Sequence, residues 1–167
     1  MKKSDFRYDL PEELIAQTPL ARRDASRLLH MDKETGELRH GHFDDILDFL
    51  KPGDCLIIND TRVLPARIYG VKENTGAVVE FLLLKQVALD TWECLAGPGK
   101  KAREGATFSF SDGKLIGTVL KVKEDGNRVV HFRYQGDNFY SILEEIGQMP
   151  LPPYIKEQLK DQERYQT

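Results

Sequence analysis

Apolar positions along this chain fall into two textures. Between residues 66 and 134 they come in short runs with β-type alternation, at 66–72, 77–87, 91–96, 106–110, 115–123 and 127–134. The breaks between the runs are turn signals: Asn74-Thr75-Gly76, Leu89-Asp90, the loop 97–105, Ser111-Asp112-Gly113 and Glu124-Asp125-Gly126-Asn127. Six short strands at this spacing predict a small antiparallel barrel or sandwich. Closing the sheet also removes the edges such strands otherwise present.

On both sides of this stretch the pattern is α/β. Asp9 and Glu12 have capping-box spacing and Pro11 falls near a first helical turn, which predicts a short helix over about 11–17. Residues 27–31 suit a strand, and the turn-rich Asp32–Glu37 with Gly36 returns the chain as a hairpin. Phe43, Ile46, Leu47 and Leu50 recur at helical spacing, predicting a helix over about 44–50 that Lys51-Pro52-Gly53 ends. The continuous apolar run 54–58 has the pattern of a strand buried on both faces. Beyond residue 136, Asp137 is placed to cap a helix with Phe139, Ile142, Leu143 and Ile146 on one face, closed by Gly147. The segment Met149–Ile155 contains three prolines, so it is neither helix nor central strand.

Composition narrows the class. A chain of 167 residues suits one ordinary domain or two small ones, and 40% hydrophobic with 31% charged residues is a globular balance. No apolar run approaches the roughly 20 residues of a membrane span. The opening Met1–Glu13 has two lysines with no apolar stretch behind them, unlike a signal peptide. Cys55 and Cys94, each flanked by apolar residues, read as reduced, buried small hydrophobes of a cytoplasmic protein. The net charge of −3 argues against a simple basic nucleic-acid binder, but the charge is uneven. Residues 98–133 hold 8 basic and 4 acidic side chains, net +4, between acidic flanks. Such a stretch suits a phosphate backbone, and equally suits solubilising exposed strands.

Three segments carry candidate chemistry. Asn59-Asp60-Thr61-Arg62-Val63 follows the run 54–58, and loops at the carboxyl ends of strands are where α/β proteins gather ligands. Asp60 suits a ribose hydroxyl or a cation, and Arg62 suits a phosphate or carboxylate. A capped turn formed by Asn59 or Asp60 is the structural alternative. Pro98–Arg103 is a basic loop with Lys100, Lys101 and Arg103 beside Gly99, where a glycine permits close backbone approach; a solvated loop is the alternative. The Pro-rich segment suits a rigid crossing, with Tyr154 as an aromatic able to stack on a base. The four histidines, His30, His40, His42 and His131, have no zinc-ligand grouping with cysteines. No dinucleotide-binding, phosphate-loop, zincin or paired-cysteine motif is present.

The order of several blocks is more specific than their chemistry. They are Asp9–Gln17 with Pro19, Arg23–Leu28, His42-Phe43, Pro52-Gly53-Asp54, Asn59–Arg67, Pro98–Lys101, Gly147 with Met149–Ile155, and Arg164–Thr167. In this order they resemble the S-adenosylmethionine:tRNA ribosyltransferase-isomerase family of queuosine biosynthesis, essentially from end to end. The resemblance implies a mixed α/β domain with a small antiparallel β-barrel inserted in it. With the texture changes, this gives residues 1–64 as a first α/β segment, 65–135 as the barrel and 136–167 as a second, incomplete α/β segment. It implies that the chain is the N-terminal half of a longer enzyme and is inactive alone. The implied reaction transfers and isomerises the ribosyl moiety of S-adenosylmethionine, a co-substrate, onto 7-aminomethyl-7-deazaguanine at the tRNA wobble position. Epoxyqueuosine-tRNA forms, and adenine and methionine leave. No metal and no membrane are implied; the partner is a tRNA anticodon stem-loop, and the full-length form is expected to be a cytoplasmic monomer. The expected catalytic residues are Asp60, Thr61 and Arg62, without assigned roles. Asn59, Arg67, Tyr154, Arg164, Tyr165, Gln166 and Thr167 are expected to bind substrate and co-substrate, and Lys100, Lys101 and Arg103 the tRNA. The runner-up is a non-catalytic RNA-binding barrel module.

Overall fold

The computed structural model describes every residue except Asp137, Gln158 and Thr167. Two compact units are present: Met1–Asp60 with Pro152–Arg164, and Thr61–Leu151 with Tyr165 and Gln166.

The second unit is built on a closed six-stranded antiparallel barrel. Its strands are β3 (Arg67–Lys72), β4 (Val78–Ala88), β5 (Thr91–Gly97), β6 (Thr107–Phe110), β7 (Leu115–Val122) and β8 (Arg128–Tyr134). They pair in the order β3-β4-β5-β8-β7-β6, and β6 closes the ring on β3 through Val71–Ser109 and Lys72–Phe108. Each falls within a residue or two of the run that predicts it. The alternation is the reason: along β4 and β7 every second side chain through Leu83 and Val119 is buried. Turns demanding left-handed backbone sit where Asp90, Ser111, Asp112, Gly113 and Gly126 stand.

The barrel interior holds Ile68, Val79, Phe81, Cys94, Phe108, Phe110, Leu115, Val119, Val130 and Phe132, all at most 1% exposed. Phenylalanine rings meet edge to face, Phe81 with Phe108 at 4.9 Å and Phe110 with Phe132 at 5.9 Å. Glycines make the room. A methyl on Gly70 would stand 2.7 Å from the Phe110 ring, and one on Gly117 3.0 Å from Phe110 and Phe132. Small and large residues thus complement each other across the narrow interior.

One helix, α1 (Phe139–Ile146), follows the barrel. Phe139, Ile142 and Leu143 are buried in the barrel core, with Ile146 packed beside them. Phe139 stacks on Trp92 at 5.6 Å and touches Phe132 at 5.3 Å. The expected apolar face is therefore present, but it lies on the barrel, because the aromatic cluster there offers the apolar area that the face must cover. The expected cap, Asp137, lies outside the described residues. Asn138 caps α1, its side-chain oxygen accepting from Ser141 N–H at 2.9 Å. After α1, Gln148 pairs with Arg67 as a backbone bridge, with bonds of 3.1 and 2.8 Å.

The first unit has one regular sheet among its described residues, the hairpin β1 (Arg27–Met31) and β2 (Leu38–His42), as the pattern predicts. Asp32 closes its turn, accepting from Glu34 and Thr35 N–H at 2.9 and 2.7 Å, and Gly36 takes φ 72°. Other expectations here are corrected. The helix over 11–17 is a single 3-10 turn at Glu12–Leu14, and the helix over 44–50 is a 3-10 stretch at Phe43–Phe49. The run 54–58 forms no strand; Leu56, Ile57 and Ile58 are 60, 91 and 77% exposed. Cys55 is likewise exposed, whereas Cys94 is buried as expected, and both are free thiols. One cause covers all four. No described residue of 1–60 is buried, and short helices and lone strands are not stable without a packed apolar face or a paired neighbour.

Candidate functional site

Two glutamine amides organise the candidate segments, and neither use is legible from spacing. In the first unit Gln17 spans 137 residues of sequence to reach the Pro-rich segment. Its Nε2 donates to the Tyr154 carbonyl at 3.0 Å, and its Oε1 accepts from Lys156 N–H at 2.7 Å. A side-chain amide thus mimics a strand partner, which a segment with three prolines cannot easily find otherwise. Tyr154 is held by its backbone while the residue stays 55% exposed. Around it lies a cavity of about 330 Å³ lined by Glu12, Ile15, Gln17, Pro153, Tyr154 and Lys156. The Lys156 ammonium pairs with Glu12 at 2.7 Å on its rim.

The same unit ties Arg164 down. Its guanidinium donates to the Leu20 carbonyl, and Arg23 in turn donates to the carbonyls of Glu163 and Arg164 at 3.3 and 3.0 Å. Arg23 and Arg164, from blocks far apart in sequence, therefore meet in space. Asn59 and Asp60 are exposed at the end of this unit's first segment.

In the second unit Gln166 repeats the device. Val63 N–H donates to its Oε1 at 2.7 Å, and its Nε2 donates to the Val63 carbonyl at 2.9 Å. Gln166 is 9% exposed, so it and Val63 are joined through a buried amide. Thr61 and Arg62, just before Val63, are exposed, and each makes contacts of its own. Tyr165 is half-buried; Thr167 lies outside the described residues. Arg67 sits at the start of β3, where its guanidinium contacts Glu80 at 3.2 Å and the Leu151 carbonyl at 3.5 Å. Glu80 also accepts from the Tyr69 hydroxyl at 3.1 Å, and burial, then Glu80, raises the pKa of that phenol.

The basic loop leaves β5 through Gly97-Pro98, makes a 3-10 turn at Gly99–Lys101 and keeps Lys100, Lys101 and Arg103 exposed. Its glycine has a use that the sequence reading misses. A methyl on Gly99 would stand 2.7 Å from Nη2 of Arg128, so the group in close approach is the protein's own guanidinium. The one available signal is a cation opening β8 opposite Cys94. Among the described residues no group of three histidine, cysteine, aspartate or glutamate side chains is placed to hold a metal ion. No helix among them is long and apolar enough to cross a membrane.

A family model described as "Queuosine biosynthesis protein" matches residues 3–167. Among solved structures, the S-adenosylmethionine tRNA ribosyltransferase from Thermotoga maritima is 38% identical over a match covering 86% of this chain and 48% of that one, with a TM-score of 0.42. The chain thus spans about half the length of that relative. With the match running from residue 3 to residue 167 through every block described above, the chain belongs to the family of queuosine biosynthesis proteins.

Proposed function

We propose that this chain forms part of an S-adenosylmethionine-dependent tRNA ribosyltransferase-isomerase. The observation that carries this reading is the family match over residues 3–167, seconded by the name of the 38%-identical relative. In this reading a mixed α/β domain carries the inserted barrel. The ribosyl moiety passes to 7-aminomethyl-7-deazaguanine at the wobble position of tRNA, epoxyqueuosine forms there, and adenine and methionine leave. The enzyme works as a cytoplasmic monomer without a metal.

The donor brings a sulfonium, a carboxylate and a ribose. Arg62 offers a planar fork for the carboxylate or a phosphate, Asp60 an acceptor for ribose hydroxyls or a partner for the cation, and Thr61 a hydroxyl between them. Asn59, Arg67, Tyr154, Arg164, Tyr165, Gln166 and Thr167 are the residues proposed to bind substrate and co-substrate. Tyr154 is favoured as a base-stacking platform because the residue is exposed while its backbone is fixed by Gln17. Lys100, Lys101 and Arg103 hold the anticodon stem-loop by its phosphates. Catalysis needs its groups held at once, and the chain spans about half the length of the relative it matches, so the 167 residues alone are expected to bind RNA weakly without transferring ribose.

The test uses the product of the whole reading frame that contains this chain, incubated with S-adenosylmethionine and tRNA bearing 7-aminomethyl-7-deazaguanine. Adenine release that depends on the tRNA is expected. Arg62→Ala is expected to lower kcat and kcat/KM together, by about 100-fold or more, if its contact forms only in the transition state. RNA binding with no adenine release would instead favour a non-catalytic RNA-binding barrel.

A further inference from the structure

We infer that Arg128 is the positioning residue that shapes the basic loop for RNA, a step that rests on the proposal that Lys100, Lys101 and Arg103 contact phosphates. The guanidinium of Arg128 reaches three carbonyls from two loops. It donates to Gly99 at 2.7 Å through Nη2, to Ala102 at 3.1 Å through Nε, and to Gly126 through Nη1. Lys72 adds a fourth tie, its ammonium donating to the Lys101 carbonyl at 3.0 Å. The carbonyls of Gly99, Lys101 and Ala102 are therefore turned toward the barrel's own cations. That matters for an anion ligand, because outward carbonyl oxygens would repel a phosphate.

The loop's one carboxylate, exposed like the cations, is committed to a backbone donor. Glu104 accepts from Val122 N–H at 2.9 Å. Ala102 is wholly buried between the exposed Lys101 and Arg103, which pins the loop's middle to the core. The exposed side of the loop thus carries three cations against one carboxylate, and three of its carbonyls are engaged by Arg128 and Lys72. The three carbonyls that Arg128 reaches are served by Nε, Nη1 and Nη2 separately, a spread of donors that the single compact nitrogen of an ammonium does not have. Arg128 is half-buried and spends its donors on the protein, so its part is to hold the loop rather than to touch the ligand.

The experiment measures binding of the full 167-residue chain to an unmodified tRNA transcript across a salt series, with a thermal melt of each variant. Lys100→Ala/Lys101→Ala/Arg103→Ala tests the underlying contact. Arg128→Lys keeps the charge but loses the bridging. Gly99→Ala keeps every charge and pushes a methyl against the guanidinium. Both single variants are expected to weaken binding by roughly tenfold and to flatten the salt slope by about one phosphate contact. Melting behaviour separates loop disorder from unfolding, and Gly99→Ala serves where Arg128→Lys fails to fold. If the triple variant loses affinity while Arg128→Lys and Gly99→Ala bind and respond to salt as the parent does, Arg128 has no positioning part. If the triple variant also binds as the parent does, the loop is not an RNA contact and the inference falls with that reading.

Discussion

Gly147 stands where a methyl group has no room: a Cβ there would lie 2.0 Å from the Pro65 carbonyl oxygen and 2.6 Å from that of Leu143. Its φ of −83° is ordinary, so the glycine is required by close approach and not by backbone conformation. Gly147→Ala is expected to destabilise the barrel unit by about 1–3 kcal/mol, as overpacking does, seen as a lower midpoint in denaturant unfolding. Gln166 makes the complementary point about buried polarity. Gln166→Leu leaves both Val63 groups without the amide and is expected to cost about 1–3 kcal/mol, whereas Gln166→Glu is worse at neutral pH, since a carboxylate then faces the Val63 carbonyl. Denaturant unfolding of the pair ranks them. The two thiols differ first in burial. Burial pushes the Cys94 thiol far above its ordinary pKa, while Cys55 is exposed. At mildly alkaline pH an alkylating reagent should label one thiol per folded chain, Cys55, and both only after unfolding; early labelling of Cys94 contradicts the buried assignment.

At the scale of elements, the sequence is legible wherever an element carries its own partner. The six barrel strands show alternation because each buries one face against the others, and their turns carry glycine or aspartate where left-handed backbone is needed. The hairpin β1–β2 is legible for the same reason. The run 54–58 reads as a doubly buried strand from its side chains alone, yet no described strand pairs with it. The β7–β8 turn supplies a prediction in pH. Glu93 is held below the ordinary glutamate range first by its hydrogen bond from Lys123 at 2.8 Å and next by that from Asn127 at 2.7 Å. Asp125 shares the same ammonium at 3.5 Å. A depressed carboxylate stabilises the fold above its unfolded pKa of about 4.3 and loses that contribution as pH falls through the folded value. Glu93→Gln is thus expected to flatten the acid side of a melting-midpoint profile taken from about pH 3 to 7. A parent and variant that lose stability in parallel on acidification would show that this cluster contributes nothing.

At the scale of the molecule, the buried core among the described residues belongs to the barrel unit, and no residue from 1–60 contributes to it. The candidate site shows the same divide between what sequence can and cannot give. Ordered blocks bring out Asp60, Arg62, Tyr154 and Gln166 as residues to watch, but the amides that hold their segments, and the guanidinium beneath the basic loop, depend on contacts across 26 to 139 residues that no local pattern encodes. The most direct test of the proposed reaction follows two labels through it, using the product of the whole reading frame that contains this chain. S-adenosylmethionine is labelled separately in its ribosyl carbons and its methyl group and incubated with tRNA bearing 7-aminomethyl-7-deazaguanine. Ribosyl transfer predicts that the ribosyl label enters the tRNA while the methyl label leaves entirely as methionine. Methyl label in the tRNA, or ribosyl label confined to small molecules, would contradict it.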